Sequence, residues 1–287
     1  MSVTTAYADC EAITRAQAKN FYYGIRLLPP PKRHALSAIY AMARRIDDIG
    51  DGDLSTKDKL DHLDEVRRQL ADPGAVVGHD PVMMAVADAA QRYPVPMAAF
   101  GELVEGCEMD AAGTSYETFE DLVGYGRRVA GSIGRLSLGV FGATDMALAS
   151  SRADALGVAL QVTNILRDVV EDREEMGRVY LPIQDIARFG VAPDLTGPRD
   201  NLAALIVFEA EQSRPFWSEG LALLPLLDHR SRACVAAMAG IYHRLLARIE
   251  RRPTAVAEVR VSLPGWEKAW VATRAITGLG ITNGVGA

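Results

Sequence analysis

Two acidic clusters carry the clearest chemical signal in the sequence. In the first, over residues 40–51, Tyr40 and Arg44 are followed by Asp47, Asp48 and Asp51. Residues four apart on a helix share a face, so this spacing predicts that Asp47 and Asp51 project together. Aspartates destabilise the last turn of a helix unless a cation lies nearby, which favours a metal ion at this point. Taken alone, the cluster also fits an ordinary solvent-exposed helix end.

The second cluster lies on a segment that is otherwise strongly apolar. Its polar residues recur at steps of three and four, at Gln161, Asn164, Asp168, Glu171 and Asp172. This spacing predicts one polar stripe on a helix whose remaining surface is buried. Buried carboxylates are unfavourable unless they are paired or bind a metal ion. Asn164, Asp168 and Asp172 supply the hard oxygen donors that Mg²⁺ prefers.

Together, the two clusters suggest one reaction centre. Two acidic walls that face the same cavity can hold several Mg²⁺ ions, and such ions bind a diphosphate and neutralise its charge as it leaves. An apolar helical cavity would then hold a hydrocarbon chain and exclude water from a carbocation. The hypothesis is therefore diphosphate chemistry on an apolar substrate, on the condition that the two polar stripes face each other.

The elements that must position these residues are predicted to be helices. Apolar residues recur at helical spacing in residues 35–46, 60–70 and 156–165, and no series of alternating strand segments stands out. Proline and glycine clusters separate the helical segments. We therefore predict an all-α fold, with one helical domain over residues 1–287. The small, uncharged, glycine-rich residues 277–287 are predicted to form a disordered tail.

Composition excludes several other classes of protein. The net charge of −6 and the lack of a basic run argue against nucleic-acid binding. Cys10, Cys107 and Cys234 are far apart and odd in number, which favours reduced, buried thiols over a disulfide framework or a zinc site. No apolar run reaches the roughly 18 residues of a membrane span, and no secretory signal is recognisable. We expect a cytoplasmic protein.

Three motifs resemble those of the squalene and phytoene synthase family. The first is the Asp47 to Asp51 motif with its preceding tyrosine and arginine. The second reads Asn-Ile-Leu-Arg-Asp-Val-Val-Glu-Asp at residues 164–172, with Gly-Arg-Val-Tyr-Leu-Pro at residues 177–182. The third reads Tyr-Gly-Arg-Arg-Val-Ala-Gly-Ser-Ile-Gly at residues 125–134. The resemblance covers about residues 19–251, which is most of the chain.

The resemblance implies an all-α isoprenoid synthase fold with a central cavity, and a prenyl transferase that joins two allylic diphosphates at their first carbons. Tyr125 matches a tyrosine that assists proton removal or stabilises a cation. The implied Mg²⁺ ligands are Asp47, Asp51, Asn164, Asp168 and Asp172, with Asp48 beside them. The implied substrate-binding residues are Lys19, Asn20, Tyr40, Arg44, Gln161, Asn164, Arg167, Arg178 and Tyr180.

The subfamily is suggested by residues 19–29, which read Lys-Asn-Phe-Tyr-Tyr-Gly-Ile-Arg-Leu-Leu-Pro. They are most similar to presqualene diphosphate synthases of bacterial hopanoid and squalene pathways. This similarity implies condensation of two farnesyl diphosphates to presqualene diphosphate with release of pyrophosphate. The alternative within the family is a phytoene or dehydrosqualene-type synthase, which uses geranylgeranyl diphosphate or continues to a second rearrangement.

No NADPH is expected, because the dinucleotide-like glycines of residues 278–284 have the wrong spacing and no helix follows them. A non-catalytic helical scaffold is the alternative from a different class, and the intact acidic clusters argue against it. The sequence leaves the oligomeric state open. It also leaves open a peripheral contact with membranes, although no helix is basic enough to argue for one.

Overall fold

The protein is all-α, as the sequence predicts. The computed structural model describes residues 1–73 and 80–278, and every regular element within them is helical. A π-helical turn, Arg127–Gly131, joins two of the helices, and 3₁₀ turns cover Leu224–Leu226 and Pro253–Ala257. The α-helices are α1 (Val3–Gln17), α2 (Tyr22–Ile25), α3 (Pro30–Asp51), α4 (Thr56–Ala71), α5 (Pro81–Arg92), α6 (Ala98–Ala111), α7 (Phe119–Gly126), α8 (Ser132–Phe141), α9 (Met146–Met176), α10 (Ile183–Arg188), α11 (Arg199–Gln212), α12 (Arg214–Leu221), α13 (His229–Arg251) and α14 (Gly265–Ile276).

Two long helices, α3 and α9, carry the two acidic clusters near their C-terminal ends. Pro30 begins α3, at a position where a missing N–H costs no helical hydrogen bond. The side chain of Asp145 caps α9 by accepting a hydrogen bond from the Leu148 backbone N–H. Gly177 ends α9 with a φ of 64°, a left-handed conformation that glycine adopts without strain. The chain turns there and brings Arg178 back towards α3.

Close packing of α9 against the π-helical turn and α8 depends on small residues. A methyl group placed on Gly157 would lie 2.5 Å from the backbone nitrogen of Gly131. One placed on Gly134 would lie 2.8 Å from the carbonyl oxygen of Ala153. Both distances are too short for a side chain, so close contact between helices accounts for these glycines. The π-helical turn lies at the same contact, and such turns are frequent at functional sites.

Buried apolar residues form two clusters. One draws mainly on α1, α3, α5 and α6, and the other on α9 and the helices that follow it. Cys10 and Cys107 are buried in the first cluster and Cys234 in the second, and all three are free thiols. The cysteines therefore act as small apolar core residues, as the sequence predicts.

The C-terminal segment is described only in part. Thr277 and Gly278 form the turn that closes α14, and the Thr277 hydroxyl donates a hydrogen bond of 3.2 Å to the Thr273 carbonyl. Residues 279–287, where most of the predicted tail falls, lie outside the described residues. The assignment of residues 1–287 to a single domain stays a prediction. None of the helices in residues 1–73 and 80–278 combines the length and apolar character needed to cross a bilayer.

Candidate active site

A cavity of about 240 Å³ lies among α2, α3, α8, α9 and α13. Its wall is mostly apolar, and its polar lining comes mainly from α3 and α9. The polar residues of the wall are Tyr40, Arg44, Asp47, Ser137, Gln161 and Asn164. The structure thus brings one face of each acidic helix to the same cavity.

The cavity has a polar end and a far end. On α3 its lining extends from Leu36 to Asp47, and on α9 from Ala153 to Asn164. At a helical rise of about 1.5 Å per residue, each stretch is about 16 Å long. Asp47 and Asn164 mark the polar end. Leu36 marks the far end together with Phe141, because the Lys32 ammonium at the start of α3 donates a hydrogen bond of 2.6 Å to the Phe141 carbonyl.

The three aspartates of the first cluster point in different directions. Asp47 lies in the cavity wall, and burial followed by the charge of Asp51 raises its pKa to about 7. Asp48 forms a salt bridge of 2.5 Å with Arg44, one turn earlier on α3. Asp51 pairs instead with Arg178, at 2.7 Å. Only Asp47 of the three faces the cavity directly.

The second cluster combines an unpaired amide with a strongly paired aspartate. The buried Oδ1 of Asn164 has no hydrogen-bond partner, although it lies in the cavity wall. Asp168 accepts a hydrogen bond of 2.7 Å from Arg167 Nε and lies 2.9 Å from Arg260 Nε. Burial, followed by the charges of Asp168 and Glu171, raises the pKa of Asp172 to about 7. The cluster therefore contains several oxygen atoms that can serve as metal ligands, and contacts within the protein neutralise or hydrogen-bond only some of them.

Arg178 joins the two clusters. Its Nη1 lies 2.7 Å from the Asp51 carboxylate, and its Nη2 donates a hydrogen bond of 3.0 Å to the Gly50 carbonyl. Arg178 follows directly after α9, whereas Asp51 is the last residue of α3. Its positive charge also opposes the rise in the pKa of Asp172. The two acidic clusters consequently lie at the same end of the cavity.

Tyr125 belongs to a buried hydrogen-bond network beside the polar end. Its hydroxyl donates to Asp110 Oδ2 at 2.9 Å, and the Tyr180 hydroxyl donates to Asp110 Oδ1 at 3.0 Å. The two rings stack with their centroids 5.3 Å apart. Burial and then Asp110 raise the pKa of Tyr125 well above its ordinary value, so its phenol is neutral at physiological pH. Tyr125 is not part of the cavity wall itself.

No sequence pattern marks Asp110, because it lies outside every recognisable motif. It is the acceptor shared by two tyrosines that the motifs do single out. Burial is the main cause that raises the pKa of Asp110 to about 6, against the opposing charge of Arg178. Its separation from Tyr180 is 70 residues, so only the folded chain shows the connection.

Two further residues, Arg260 and Tyr242, lie at the polar end. Arg260 contacts Asp168 and lies 3.0 Å from the Glu171 carboxylate. Tyr242 of α13 stacks on Phe21 with ring centroids 5.5 Å apart. It also hydrogen-bonds to the Arg167 side chain. No local pattern marks Arg260, which lies in an irregular segment before α14.

The residues implied to bind substrate are only partly in the cavity wall. Tyr40, Arg44, Gln161 and Asn164 line it. Lys19 is exposed and Asn20 is half-buried, and the wall includes their neighbour Phe21 in place of either. Arg167, Arg178 and Tyr180 surround the polar end through the contacts described above.

Comparison with known proteins identifies the family. A model of the squalene/phytoene synthase family matches residues 14–267. The chain belongs to the squalene/phytoene synthase family. It is accordingly a prenyl transferase of this type, as the motifs predict.

Relatives within the squalene/phytoene synthase family include bacterial phytoene synthases. The chain is 49% identical over 280 residues to the phytoene synthase of Mycobacterium tuberculosis (strain ATCC 25618 / H37Rv). The alignment covers 96% of this chain and 91% of that protein. It is 35% identical over 281 residues to the 15-cis-phytoene synthase of Synechococcus elongatus, in an alignment that covers 93% of this chain and 91% of the relative.

Solved structures of the family confirm the predicted isoprenoid synthase fold. A dehydrosqualene synthase crystallised with a ligand superposes with a TM-score of 0.87 and 31% identity, over 96% of this chain and 97% of that one. A squalene synthase, HpnC, from Alicyclobacillus acidocaldarius superposes with a TM-score of 0.79 and 29% identity, over 88% of this chain and 95% of that one.

A divalent metal ion, which the squalene/phytoene synthase family implies, fits the chemistry of the polar end. The unpaired Asn164 oxygen and the crowded carboxyl groups of Asp47 and Asp172 are donors that gain from a cation. Across residues 1–73 and 80–278, no three acidic, histidine or cysteine side chains converge tightly enough to hold a metal ion alone.

Proposed function

We propose that this prenyl transferase condenses two molecules of geranylgeranyl diphosphate head to head into phytoene, with release of two pyrophosphates and two protons. The observation that carries the proposal is the 49% identity to the phytoene synthase of Mycobacterium tuberculosis over nearly the full length of both chains. The 15-cis-phytoene synthase of Synechococcus elongatus supports the same conclusion at lower identity. Residues 19–29 point elsewhere, but they are one short segment.

The second candidate is condensation of two farnesyl diphosphates to presqualene diphosphate. Its support is the sequence of residues 19–29 and the likeness to the squalene synthase HpnC and to a dehydrosqualene synthase. Both candidates use the same polar end, but they differ in the length of the hydrocarbon chain and in the number of steps. Substrate length and the presence of a second step are therefore the two properties that separate them.

The apolar cavity suits the hydrocarbon chains of prenyl diphosphates. Its wall beyond Tyr40 and Gln161 is almost entirely aliphatic or aromatic, which excludes water from a carbocation. In this proposal the diphosphate groups lie at the polar end, where Arg44, Arg167 and Arg178 offer guanidinium groups for phosphate oxygens. Lys19 and Asn20 stand outside the wall and would contact the diphosphate of a bound substrate from its open side.

We infer that Mg²⁺ binds at the polar end together with the diphosphates. The residues that would hold it are Asp47, Asp48 and Asp51 on α3 and Asn164, Asp168 and Asp172 on α9. Bound there, the ion neutralises the charge of the departing pyrophosphate and so favours cleavage of the carbon–oxygen bond. Arg44 pairs with Asp48 and Arg178 pairs with Asp51 in the absence of ligands. When these aspartates bind a cation, the two arginines are released to bind phosphate oxygens.

The residues around Tyr125 are suited to proton transfer. The reaction takes two steps. In the first step the two chains join into a cyclopropane: one pyrophosphate leaves, and one proton leaves a substrate carbon while its electron pair forms the ring carbon–carbon bond. In the second step the other pyrophosphate leaves, and the rearranged carbocation loses a second proton to form phytoene. A neutral phenol is a weak base, but Tyr125 is hydrogen-bonded to Asp110. Tyr125 lies behind the cavity wall in the absence of ligands. We infer that rearrangement of the polar end around substrate brings its oxygen to the reacting carbon, where it accepts the substrate proton as its own hydrogen passes to the Asp110 carboxylate. The aromatic rings of Tyr125 and Tyr180 also stabilise a nearby cation.

Two further expectations belong to this proposal. Phytoene formation requires no hydride, so the reaction should proceed without NADPH. We also place the protein in the cytoplasm, in accordance with its free thiols.

The test is incubation of the purified protein with Mg²⁺ and either geranylgeranyl or farnesyl diphosphate, without NADPH. Products are identified by mass spectrometry before and after phosphatase treatment. Phytoene formed directly from geranylgeranyl diphosphate supports the proposal. Presqualene alcohol from farnesyl diphosphate, found only after phosphatase, supports the second candidate instead, and dehydrosqualene would show a second rearrangement.

A control variant separates an enzyme from a scaffold. Asp168→Asn should abolish pyrophosphate release if the polar end is an active site. Absence of turnover of both substrates by the unaltered protein would instead favour a non-catalytic helical scaffold. In that case the Asp168→Asn variant would retain all of the protein's binding properties.

A further inference from the structure

The last described helix presents two tryptophans to solvent. Trp266 and Trp270 lie one helical turn apart on α14, and their exposed fractions are 72% and 43%. Ala269 and Thr273, on the same side of the helix, are exposed as well. Tryptophan is the largest apolar side chain, and a pair of exposed rings on one helical face is typical of a contact surface. We call Trp266 and Trp270 with their two small neighbours the α14 outer face.

Cationic groups border this face. The guanidinium carbon of Arg244 lies 4.6 Å from the centre of the Trp270 ring, and that of Arg274 lies 4.8 Å from it. Residues 244–278 contain seven arginines and lysines against three glutamates, although the chain as a whole carries a net charge of −6. The two guanidinium groups that stack on Trp270 therefore give the aromatic face a cationic border, within a stretch of sequence whose net charge is positive.

The opposite side of α14 is firmly attached to the protein. The buried Glu267 carboxylate accepts hydrogen bonds from Arg244 at 3.0 Å and from Arg248 at 2.7 Å. Val271 and Ala272 are buried on the same side. Since these contacts hold the helix against α13, the tryptophans are presented by a rigid element.

The α14 outer face also lies near the polar end of the active-site cavity. The Tyr23 hydroxyl lies against Gly265, the first residue of α14, and α2 contributes Ile25 to the cavity wall. Burial, followed by the nearby charges of Arg167 and Lys19, lowers the pKa of Lys268, so α14 lies close to these two residues of the polar end. A hydrocarbon product that leaves this end of the cavity would emerge beside α14.

We propose that the α14 outer face docks on the surface of an anionic lipid bilayer. Tryptophan rings are favoured at the boundary between headgroups and acyl chains, where arginines contact lipid phosphates. Apolar contact combined with cationic attraction gives reversible binding of the whole protein without a spanning helix. The face is small compared with the roughly 800 Å² that each partner of a stable protein complex buries, which favours a bilayer over a second copy of the chain.

The test is flotation of the full-length protein with lipid vesicles in a density gradient. Vesicles of phosphatidylcholine mixed with phosphatidylglycerol should carry the protein upwards, and phosphatidylcholine vesicles alone should carry much less. Added salt should weaken the binding, because it screens the arginines. Tryptophan fluorescence should shift to shorter wavelength on binding, with Trp217, which is buried in the core, as a constant background.

Variants tie the binding to the α14 outer face. Trp266→Ala and Trp270→Ala should each weaken partitioning to the mixed vesicles by about tenfold, from the apolar area of one ring. The matched control is Met146→Ala with Leu148→Ala, which removes two exposed apolar side chains from α9. Circular dichroism and turnover of detergent-dispersed substrate should stay unchanged in all variants.

Several outcomes would overturn the proposal. Absence of flotation with mixed vesicles, or flotation that both tryptophan variants retain, excludes this docking surface. A dimer in analytical ultracentrifugation that Trp266→Ala converts to monomer would assign the face to a second copy of the chain. If a chain shortened to end at Gly278 binds vesicles and the full chain does not, the occupant of the α14 outer face is the final residues of the chain and not a bilayer. Because flotation requires no turnover, these outcomes are independent of which prenyl diphosphate the enzyme uses.

Discussion

The two ends of the cavity are built on opposite principles. At the polar end, buried Asp47 and Asp172 have raised pKa values and the Asn164 oxygen lacks a partner. At the far end, Leu36 and Phe141 are buried among other apolar groups. Buried apolar surface stabilises a fold, whereas crowded acids and unpaired amides destabilise it. The far end therefore resembles a core, and the polar end is a site whose groups become satisfied only when ligands bind.

The contacts just outside the far end strengthen this contrast. The Lys32 ammonium donates hydrogen bonds to the Phe141 carbonyl, to Asp228 and to the Ser231 hydroxyl. Asp228 also caps α13, and these contacts lower its pKa. One lysine thus ties the beginnings of α3 and α13 to the end of α8. We expect the far end to keep its shape while the polar end rearranges around substrate.

The largest expected effect comes from neutralising the acid in the cavity wall. Asp47→Asn should reduce kcat by roughly 10²–10³-fold, the size seen when one group that stabilises developing charge is removed. The unliganded protein should stay folded, because an amide replaces a carboxyl group that burial already disfavours as an anion. Steady-state kinetics and thermal denaturation measure the two effects separately.

Glu209→Gln is the matched control for this prediction. Glu209 is fully buried on α11, and burial, reinforced by Asp185, raises its pKa to about 8, but it is not part of the cavity wall. Its substitution should leave kcat unchanged. Equal losses of activity in both variants would mean that burial of an acid, and not its place at the polar end, decides the outcome.

The second prediction concerns the acceptor behind Tyr125. Asp110→Asn should lower kcat by roughly 10²-fold with little change in KM, because an amide cannot take up the proton that Tyr125 passes on. Tyr116→Phe is the control: the Tyr116 hydroxyl is buried without a partner, so its removal should leave the rate near that of the unaltered enzyme. A rate loss in Tyr116→Phe as large as in Asp110→Asn would contradict the assigned role of the network.

The third prediction is a dependence of stability on pH. Burial raises the pKa of Asp47 from 3.8 to about 7 and that of Glu209 from 4.5 to about 8. The folded state therefore holds protons that the unfolded chain has already released. The stability that these protons confer is complete below about pH 4 and is lost progressively as pH rises to 7 and 8, by at most about 1.4 kcal/mol in the free energy of unfolding per pH unit for each group.

Urea denaturation of the metal-free protein across this pH range measures the slope. The double variant Asp47→Asn, Glu209→Gln should show a flatter profile and exceed the unaltered protein in stability at the alkaline end. An unchanged slope would show that these carboxyl groups ionise in the folded state as they do in the unfolded chain.

The smallest expected effect is at the far end. Leu138→Phe places a ring where the cavity wall now has an aliphatic side chain. It should lower turnover of geranylgeranyl diphosphate about tenfold relative to farnesyl diphosphate, since a longer chain reaches further into the cavity. Leu138→Met, which conserves volume, is the control. Equal losses of turnover for both substrates would mean that Leu138 does not discriminate between the two chain lengths.

Local patterns explain how much of the site the sequence could predict. Tyr40, Arg44 and Asp47 share a cavity face of α3, and Gln161 and Asn164 share one of α9, because helical spacing aligns them. The exact partners were not predictable in this way. Asp48 forms a salt bridge with Arg44, and Asp51 forms one with Arg178. Asp168 forms salt bridges with both Arg167 and Arg260. Motif resemblance pointed to the family, whereas full-length identity to relatives favours phytoene formation over the presqualene reaction.

The sequence by itself determined the helices, the two acidic stripes and the apolar character of α9. These features depend on residues a few positions apart, whose relation is set by the regular geometry of the helix. Only the tertiary structure decided that Arg178 bridges to Asp51 across 127 residues and that Asp110 accepts hydrogen bonds from both tyrosines. Such contacts depend on how the helices pack, and a local pattern carries no record of that arrangement.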